Sequence, residues 1–169
     1  QIRRFVRYAE GVNVPYIHMG GKVGVLVNLA VEGIADMAKV VEVGKDVAMQ
    51  ICAMNPTFLD KSDVDQATLD KEKEIQLAMM ANDPKMAAKP DKVKEGIVMG
   101  KLGKFYKEAC LVDQAFIKDG SMDVKKYVAD TAKALGGDIK IAAFTHFTKG
   151  EGLEKRNEDF AAEVAAAIK

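Results

Sequence analysis

Gly20-Gly21-Lys22, two histidines, two cysteines and an acidic run near the C-terminus are the residues of this chain whose types could do chemistry. Glycines before a lysine suggest a phosphate loop, in which backbone N–H groups and an ammonium cradle phosphate oxygens. The spacing works against it. Tyr16 stands five residues before Gly21, where such a loop has glycine, and Val23 follows Lys22, where it has a magnesium-holding Ser or Thr. The triplet also opens a strand-like run, so no helix N-terminus faces it. A hairpin turn using the positive φ of glycine is the simpler reading.

His18 and His146 are the two side chains suited to general-base work near neutral pH. Both fall at strand ends that the pairing proposed below brings near each other. No HxxxH, HxE or Cys-His spacing accompanies them, so the pattern does not build a metal site, and no serine or cysteine sits in a nucleophile elbow. Contact or structural roles suit both histidines better. Glu151, Glu154, Glu158, Asp159 and Glu163 include candidate paired acids, but spread along a helix rich in Lys and Ala they read as a solvated face. Cys52 and Cys110 lie among apolar neighbours, as buried free thiols do in a reducing compartment. Of nine methionines, Met49, Met54, Met79 and Met80 fit core or seam positions. These residues point to a protein-binding domain without catalytic residues, metal or cofactor.

Lys plus Arg equals Asp plus Glu at 25 each, which argues against a dedicated nucleic-acid binder. No apolar run reaches the roughly 20 residues that cross a bilayer, and no signal peptide is visible. The expectation is a soluble, cytoplasmic protein. A chain of 169 residues buries roughly 70% of its unfolded surface, so it needs no staple. It starts on Gln1 with a strand-like run already in progress, as expected of the C-terminal part of something longer.

The elements that must position these residues follow from periodicity. Ile2–Tyr8 alternates as a strand. Val12, Val14, Tyr16 and His18, then Val23, Val25, Val27 and Leu29, alternate around Gly20-Gly21 as a hairpin. From about Ala35 the period becomes helical, with Val40, Val43, Val47, Ile51 and Met54 on one stripe ended by Asn55-Pro56. Two charged helices, Gln66–Asn82 and Asp91–Ala109, with Val98, Leu102, Phe105 and Ala109 as a narrow stripe, predict an antiparallel hairpin standing in water. Leu111–Lys118 is apolar without period and Asp119-Gly120 reads as a turn. Asp123 caps a helix bearing Val124, Tyr127, Val128, Thr131 and Leu135. Ile139, Ile141, Ala143, Thr145 and Phe147 then read as one face of a third strand, and Leu153, Phe160, Val164 and Ile168 as the stripe of a last helix. The order predicts an α+β fold: a small antiparallel sheet of about three strands, with Ile2–Tyr8 either adding to it as an extra N-terminal strand or mobile, helices on one face and an inserted helical hairpin.

IRRFVRYAEG, YIHMGGKVGVLV, GKDVAMQICAMNP, KEKEIQLAM, KVKEGIVMGKLGKFYKEACLVDQAFIKD and FTHFTKGEGLEKRNEDFAAEVA, in that order, resemble bacterial translation elongation factor Ts over nearly the whole chain. The resemblance implies a guanine-nucleotide exchange factor. It binds elongation factor Tu, disturbs the GTPase's phosphate and magnesium site, and speeds GDP release without touching a covalent bond or binding nucleotide itself. It also implies a division of the chain. Residues 1–11 match the tail of a first core subdomain, 12–56 with 111–150 the second subdomain, 57–110 a coiled-coil arm associated with dimerisation, and 151–169 a C-terminal module. By position, His18, Met19 and Gly20 match a hairpin-tip contact to the nucleotide-binding domain of elongation factor Tu. Phe116, Ile117 and Lys118 of QAFIKD match a loop that meets its third domain. Met19 stands where the family commonly has Gly or Ala, and Lys118 where it has an apolar residue. The family's N-terminal three-helix module and its TDFVAKN-like segment, whose Asp-Phe pair inserts into the GTPase, have no counterpart in these residues, so binding without full exchange is implied. The alternative is a self-associating scaffold, a homodimer pairing through Leu69, Met80, Val98 and Leu102 of the arm.

Overall fold

The computed structural model describes residues 3–153, so most of the helix expected over 151–169 lies outside the described residues. In chain order the elements are β1 (Val12–His18), β2 (Val23–Glu32), α1 (Met37–Met54), α2 (Gln66–Ala81), α3 (Pro84–Ala87), α4 (Asp91–Ala109), β3 (Ala115–Phe116), β4 (Asp119–Asp123), α5 (Val124–Ala134) and β5 (Asp138–Thr148). The fold is α+β. β1, β2 and β5 form the antiparallel sheet in that order, with the long helical excursion between β2 and β5.

β2 is the central strand, and Val25, Val27 and Leu29 are at most 3% exposed where they face the helices. The third strand is where simple alternation fails. β5 is one residue longer than β2, and the register shifts between Asn28, opposite Ala143, and Leu29, opposite Ile141. Ala142 is the extra residue of a β-bulge, and a bulge carries the rest of the strand to the other face. Ile139 and Ile141 therefore share the core side with Phe144 and His146, opposite Val27 and Val25. Ala143, Thr145 and Phe147, expected on the inner face with the isoleucines, lie on the outer one.

On the inner face α1 packs Val40, Val43, Val47 and Ile51, each no more than 1% exposed. Asp36 caps it by accepting from Lys39 N–H at 3.1 Å. Met54, expected on the same stripe, is 47% exposed, because it belongs to the last turn, where left-handed Asn55 and then Pro56 take the chain away. A Cβ on Gly44 would lie 2.5 Å from Val14 Cγ2, so only glycine lets α1 approach β1 this closely. α5, capped by Asp123, adds Val124, Val128 and Ala132 to the same core.

The outer face is crossed by residues 3–10, which do not form the expected extra strand. Side chains hold this segment instead of a ladder. Tyr8 Oη lies 2.7 Å from Thr145 Oγ1, the Arg4 guanidinium stacks over Phe147, and Asn28 Nδ2 donates to Glu10 O at 2.6 Å. Arg4 also pairs with Glu151 at 2.5 Å, and Arg3 donates to the Glu151 carbonyl.

α2 and α4 form the antiparallel hairpin within one residue of the predicted bounds, Asn82 being the C-cap of α2. Its own small core is Met80, Val98 and Leu102 with Leu69, Met86 and Ile97 against them. At its root, Thr57 and Phe58 N–H both donate to Ala109 O, while Leu111 and Val112 N–H donate to Phe58 O and Leu59 O. The outgoing and returning chains are thereby clamped together. Met79, expected in a core or seam, is 60% exposed. No helix of the described residues is long and apolar enough to cross a membrane.

Candidate functional site

The hairpin tip is built by geometry that two residues alone would not give. His18 pairs with Val23, so the connection is Met19–Lys22, with Met19, Gly20 and Gly21 all at positive φ. The loop leads into β2 and no helix N-terminus faces it, which disposes of the phosphate-loop alternative. Gly20 and Gly21 adopt this region without cost, whereas Met19 at φ 49° has a Cβ to accommodate. Ile17, at the end of β1, and Met19 in the turn are 67% and 62% exposed, a large apolar exposure for one hairpin end. His18 is held beside them: its Nδ1 lies 3.0 Å from Tyr16 Oη and its ring stacks on the tyrosine at 5.9 Å.

His146 does not join it. Across the sheet Thr148, not His146, shares the row of His18, and β2 lies between their strands, which sets them about 10 Å apart or more. Among the described residues neither histidine makes an ion pair, and no three His, Cys, Asp or Glu side chains are grouped to hold a metal. Cys110 is fully buried and Cys52 half-buried, and both are free thiols. Burial, then the nearby Asp113 carboxylate, pushes the Cys110 thiol up to about 11.

The second predicted tip has a different shape from the expected one. Leu111–Asp113 is a 3-10 turn and β3 and β4 make a small hairpin, so the turn is Ile117-Lys118 and Asp119-Gly120 begins a strand. Asp119 instead closes a local loop, and bonds from the Ser121 hydroxyl and N–H hold its carboxyl below the usual range. Ile117 is 42% exposed at the tip, while Phe116 is buried and stacks on Tyr127 at 4.1 Å.

Four residues of α1 and its neighbours fix this tip. Gln50, fully buried, donates through Nε2 to Gln114 Oε1 and Ala115 O, both at 3.1 Å, and accepts the Ile117 N–H at 2.8 Å. Gln114, equally buried, donates to Glu108 O at 2.7 Å. Asp46, one turn earlier, accepts from Tyr127 Oη at 2.8 Å and from Lys118 Nζ at 2.6 Å. Burial and this carboxylate raise the Tyr127 phenol above its ordinary range, so it stays a donor. Sequence reasoning named the tip and missed its support. The available signal was Gln50 itself, a polar side chain seven residues from Val43 and three from Val47 on an apolar helix face.

The predicted arm residues Leu69, Met80, Val98 and Leu102 lie together in the seam between α2 and α4 of one chain. The apolar side chains exposed along these helices are others: Ile75, Leu77, Met79, Val93 and Met99, each at least 44% exposed.

A family model described as Elongation factor TS matches residues 1–151. Elongation factor Ts of Clostridium kluyveri is 49% identical over 169 residues, which covers 99% of this chain and 53% of the relative. Elongation factor Ts of Clostridium botulinum is 47% identical over 165 residues, covering 96% of this chain and 52% of the relative. The chain thus spans about half the length of the curated relatives it matches. With the family model covering the sheet, the arm and both tips, the chain belongs to the elongation factor Ts family.

Proposed function

We propose that this chain binds elongation factor Tu and serves nucleotide exchange in translation elongation, with His18–Gly20 and Phe116–Lys118 as two of its contacts. One observation carries the reading: both tips expose apolar side chains at their ends while their bases are fastened to the core. Ile17 and Met19 project beside a stacked histidine, and Ile117 projects from a turn held by Gln50 and Asp46. Such pre-positioned apolar tips suit a partner that must be gripped without large ordering cost. Exchange of this kind is coupling, not covalent catalysis: the factor weakens nucleotide binding by the same free energy with which nucleotide weakens the factor. No group with catalytic geometry is required, and the workplace is the cytoplasm.

These 169 residues hold no TDFVAKN-like segment. The chain alone is therefore expected to bind elongation factor Tu and accelerate GDP release only weakly. The test is release of fluorescent GDP from elongation factor Tu titrated with the chain, beside a direct binding measurement with His18→Ala as comparison. Binding that weakens in the variant, with little acceleration, supports the reading. Absence of any binding, or an exchange rate equal to that of a full-length family member, refutes it.

A second reading, self-association through the arm, is favoured by the exposed Ile75, Met79 and Met99. Sedimentation equilibrium with Met79→Lys and Met99→Lys tests it. Charging Val98 or Leu102 would not, because those side chains hold α2 to α4.

A further inference from the structure

We propose that Asp46 is a positioning residue for the second tip: it holds the Lys118 ammonium down on α1, so that the tip meets its partner as an apolar surface. The inference rests on the reading of Phe116–Lys118 as a partner contact.

Lys118 puts a cation at the end of a turn whose other residue, Ile117, is an exposed aliphatic. A free ammonium there would have to be desolvated on docking against an apolar partner surface, which is costly. In this structure it is not free. Its Nζ lies 2.6 Å from Asp46 Oδ1, on a carboxylate whose side chain is 17% exposed, while Lys118 is 51% exposed. With the head group turned onto α1, a long side chain of this kind offers its methylenes rather than its charge to an incoming surface, in the same turn as Ile117. Asp46 is itself fixed from the other side by the Tyr127 hydroxyl at 2.8 Å, and Tyr127 by its stack on Phe116. A carboxylate anchored in this way holds its partner with less loss of side-chain freedom than an exposed pair would. One side chain on α1 therefore ties the tip's charge, its aromatic floor and α5 together.

The experiment compares full-chain wild type, Asp46→Asn, Lys118→Met, the double variant Asp46→Asn/Lys118→Met, and Ile117→Asp in direct binding to elongation factor Tu. Thermal melting of each confirms the fold. Asn keeps an acceptor for Tyr127, and position 118 is exposed, so both changes are mild. Asp46→Asn is expected to weaken binding about fivefold, the scale of one displaced rim charge. Lys118→Met should bind within about twofold of wild type, and the double variant should bind like Lys118→Met. That rescue is what a merely structural role for Asp46 would not produce. Unchanged binding in Asp46→Asn, or a loss that Lys118→Met fails to restore, overturns the inference. Ile117→Asp separates the two levels. If it leaves binding unchanged, the tip is no contact and the underlying reading falls with the inference. If it weakens binding while the Asp46 and Lys118 changes show no coupling, the inference alone falls.

Discussion

Gln50→Leu removes the amide that fastens the β3–β4 tip while keeping a side chain of similar bulk in its place. Three hydrogen bonds are lost, to Gln114 Oε1, Ala115 O and Ile117 N–H. At about 1 kcal/mol net each, the bonds themselves amount to about 3 kcal/mol. The groups left behind differ. Ala115 and Ile117 reach solvent and can turn to water, whereas Gln114 is fully buried and its oxygen keeps no partner. Desolvation of that single oxygen adds about 1–3 kcal/mol, and burial of the leucine offsets about 2 kcal/mol. The net expectation is destabilisation by about 2–4 kcal/mol, or a melting temperature lower by about 4–16 °C for a chain of this size. Urea unfolding followed by circular dichroism measures it, with an unchanged slope against denaturant as the sign that the same surface is exposed. A variant within about 0.5 kcal/mol of wild type would show that Ala115 and Ile117 are satisfied without the amide, and would refute the buttress. Gln50→Glu is the control: it keeps the acceptor for Ile117 N–H but faces two oxygens where the wild type faced them with donors, so it should be no better than leucine.

Other expectations follow from single positions. Gly44→Ala gains about 1 kcal/mol of helix propensity but drives a Cβ to 2.9 Å from Val14 Cβ, an atom that no rotamer change moves. A net loss of about 1–2 kcal/mol is expected in thermal melts, and Val14→Ala should cost less in the Gly44→Ala background than alone; additive effects would deny the contact. Met19→Gly relieves a left-handed methionine and should stabilise by about 0.5–1 kcal/mol, whereas a right-handed rearrangement of the tip would make it destabilising. Cys110 has its thiol raised from 9.0 to about 11 by burial, so the unfolded chain loses this proton first and the group's contribution is present below pH 9 and lost as pH rises towards 11. The stability gap between wild type and Cys110→Ala should therefore narrow by about 2 kcal/mol over that range in urea titrations, and a constant gap would contradict the burial argument.

The helices were legible because their information is local and repeated. α2 and α4 carry their stripes within one stretch, and Asp65 and Asp123 announce the starts of α2 and α5 by accepting from Thr68 and Lys126 N–H. The hairpin of β1 and β2 was legible for the same reason, since alternation and a glycine pair lie side by side. What escaped depends on contacts far apart in the chain. The β3–β4 tip is a strand of two residues held by an amide 67 positions away, so no periodicity within 111–118 could reveal it. The bulge at Ala142 is invisible for a subtler reason. Ile139, Ile141, Ala143, Thr145 and Phe147 alternate perfectly well with their neighbours, and only the register against Asn28 and Leu29 decides which of them face the core. Residues 3–10 show the converse: alternation is present, but the rows of Thr145, Phe147 and Asn28 on the sheet's outer face offer side-chain partners, and the segment lies across them without pairing at an edge.

The same division applies to the site. His18, Met19 and Gly20 are adjacent in sequence, so alternation and a glycine pair sufficed to place them at one hairpin turn, while their role as a contact came from the resemblance and stands as a proposal. The second tip needs Asp46 and Gln50 from α1 and Gln114 and Tyr127 from around α5, and its resting shape is a property of all four. Lys118 illustrates why residue type alone misleads there. Taken by itself it is a cation interrupting an apolar loop; with Asp46 2.6 Å away its charge is paired on α1. Substitutions at the tip should therefore be judged together with position 46, since the pair sets the charge this turn presents.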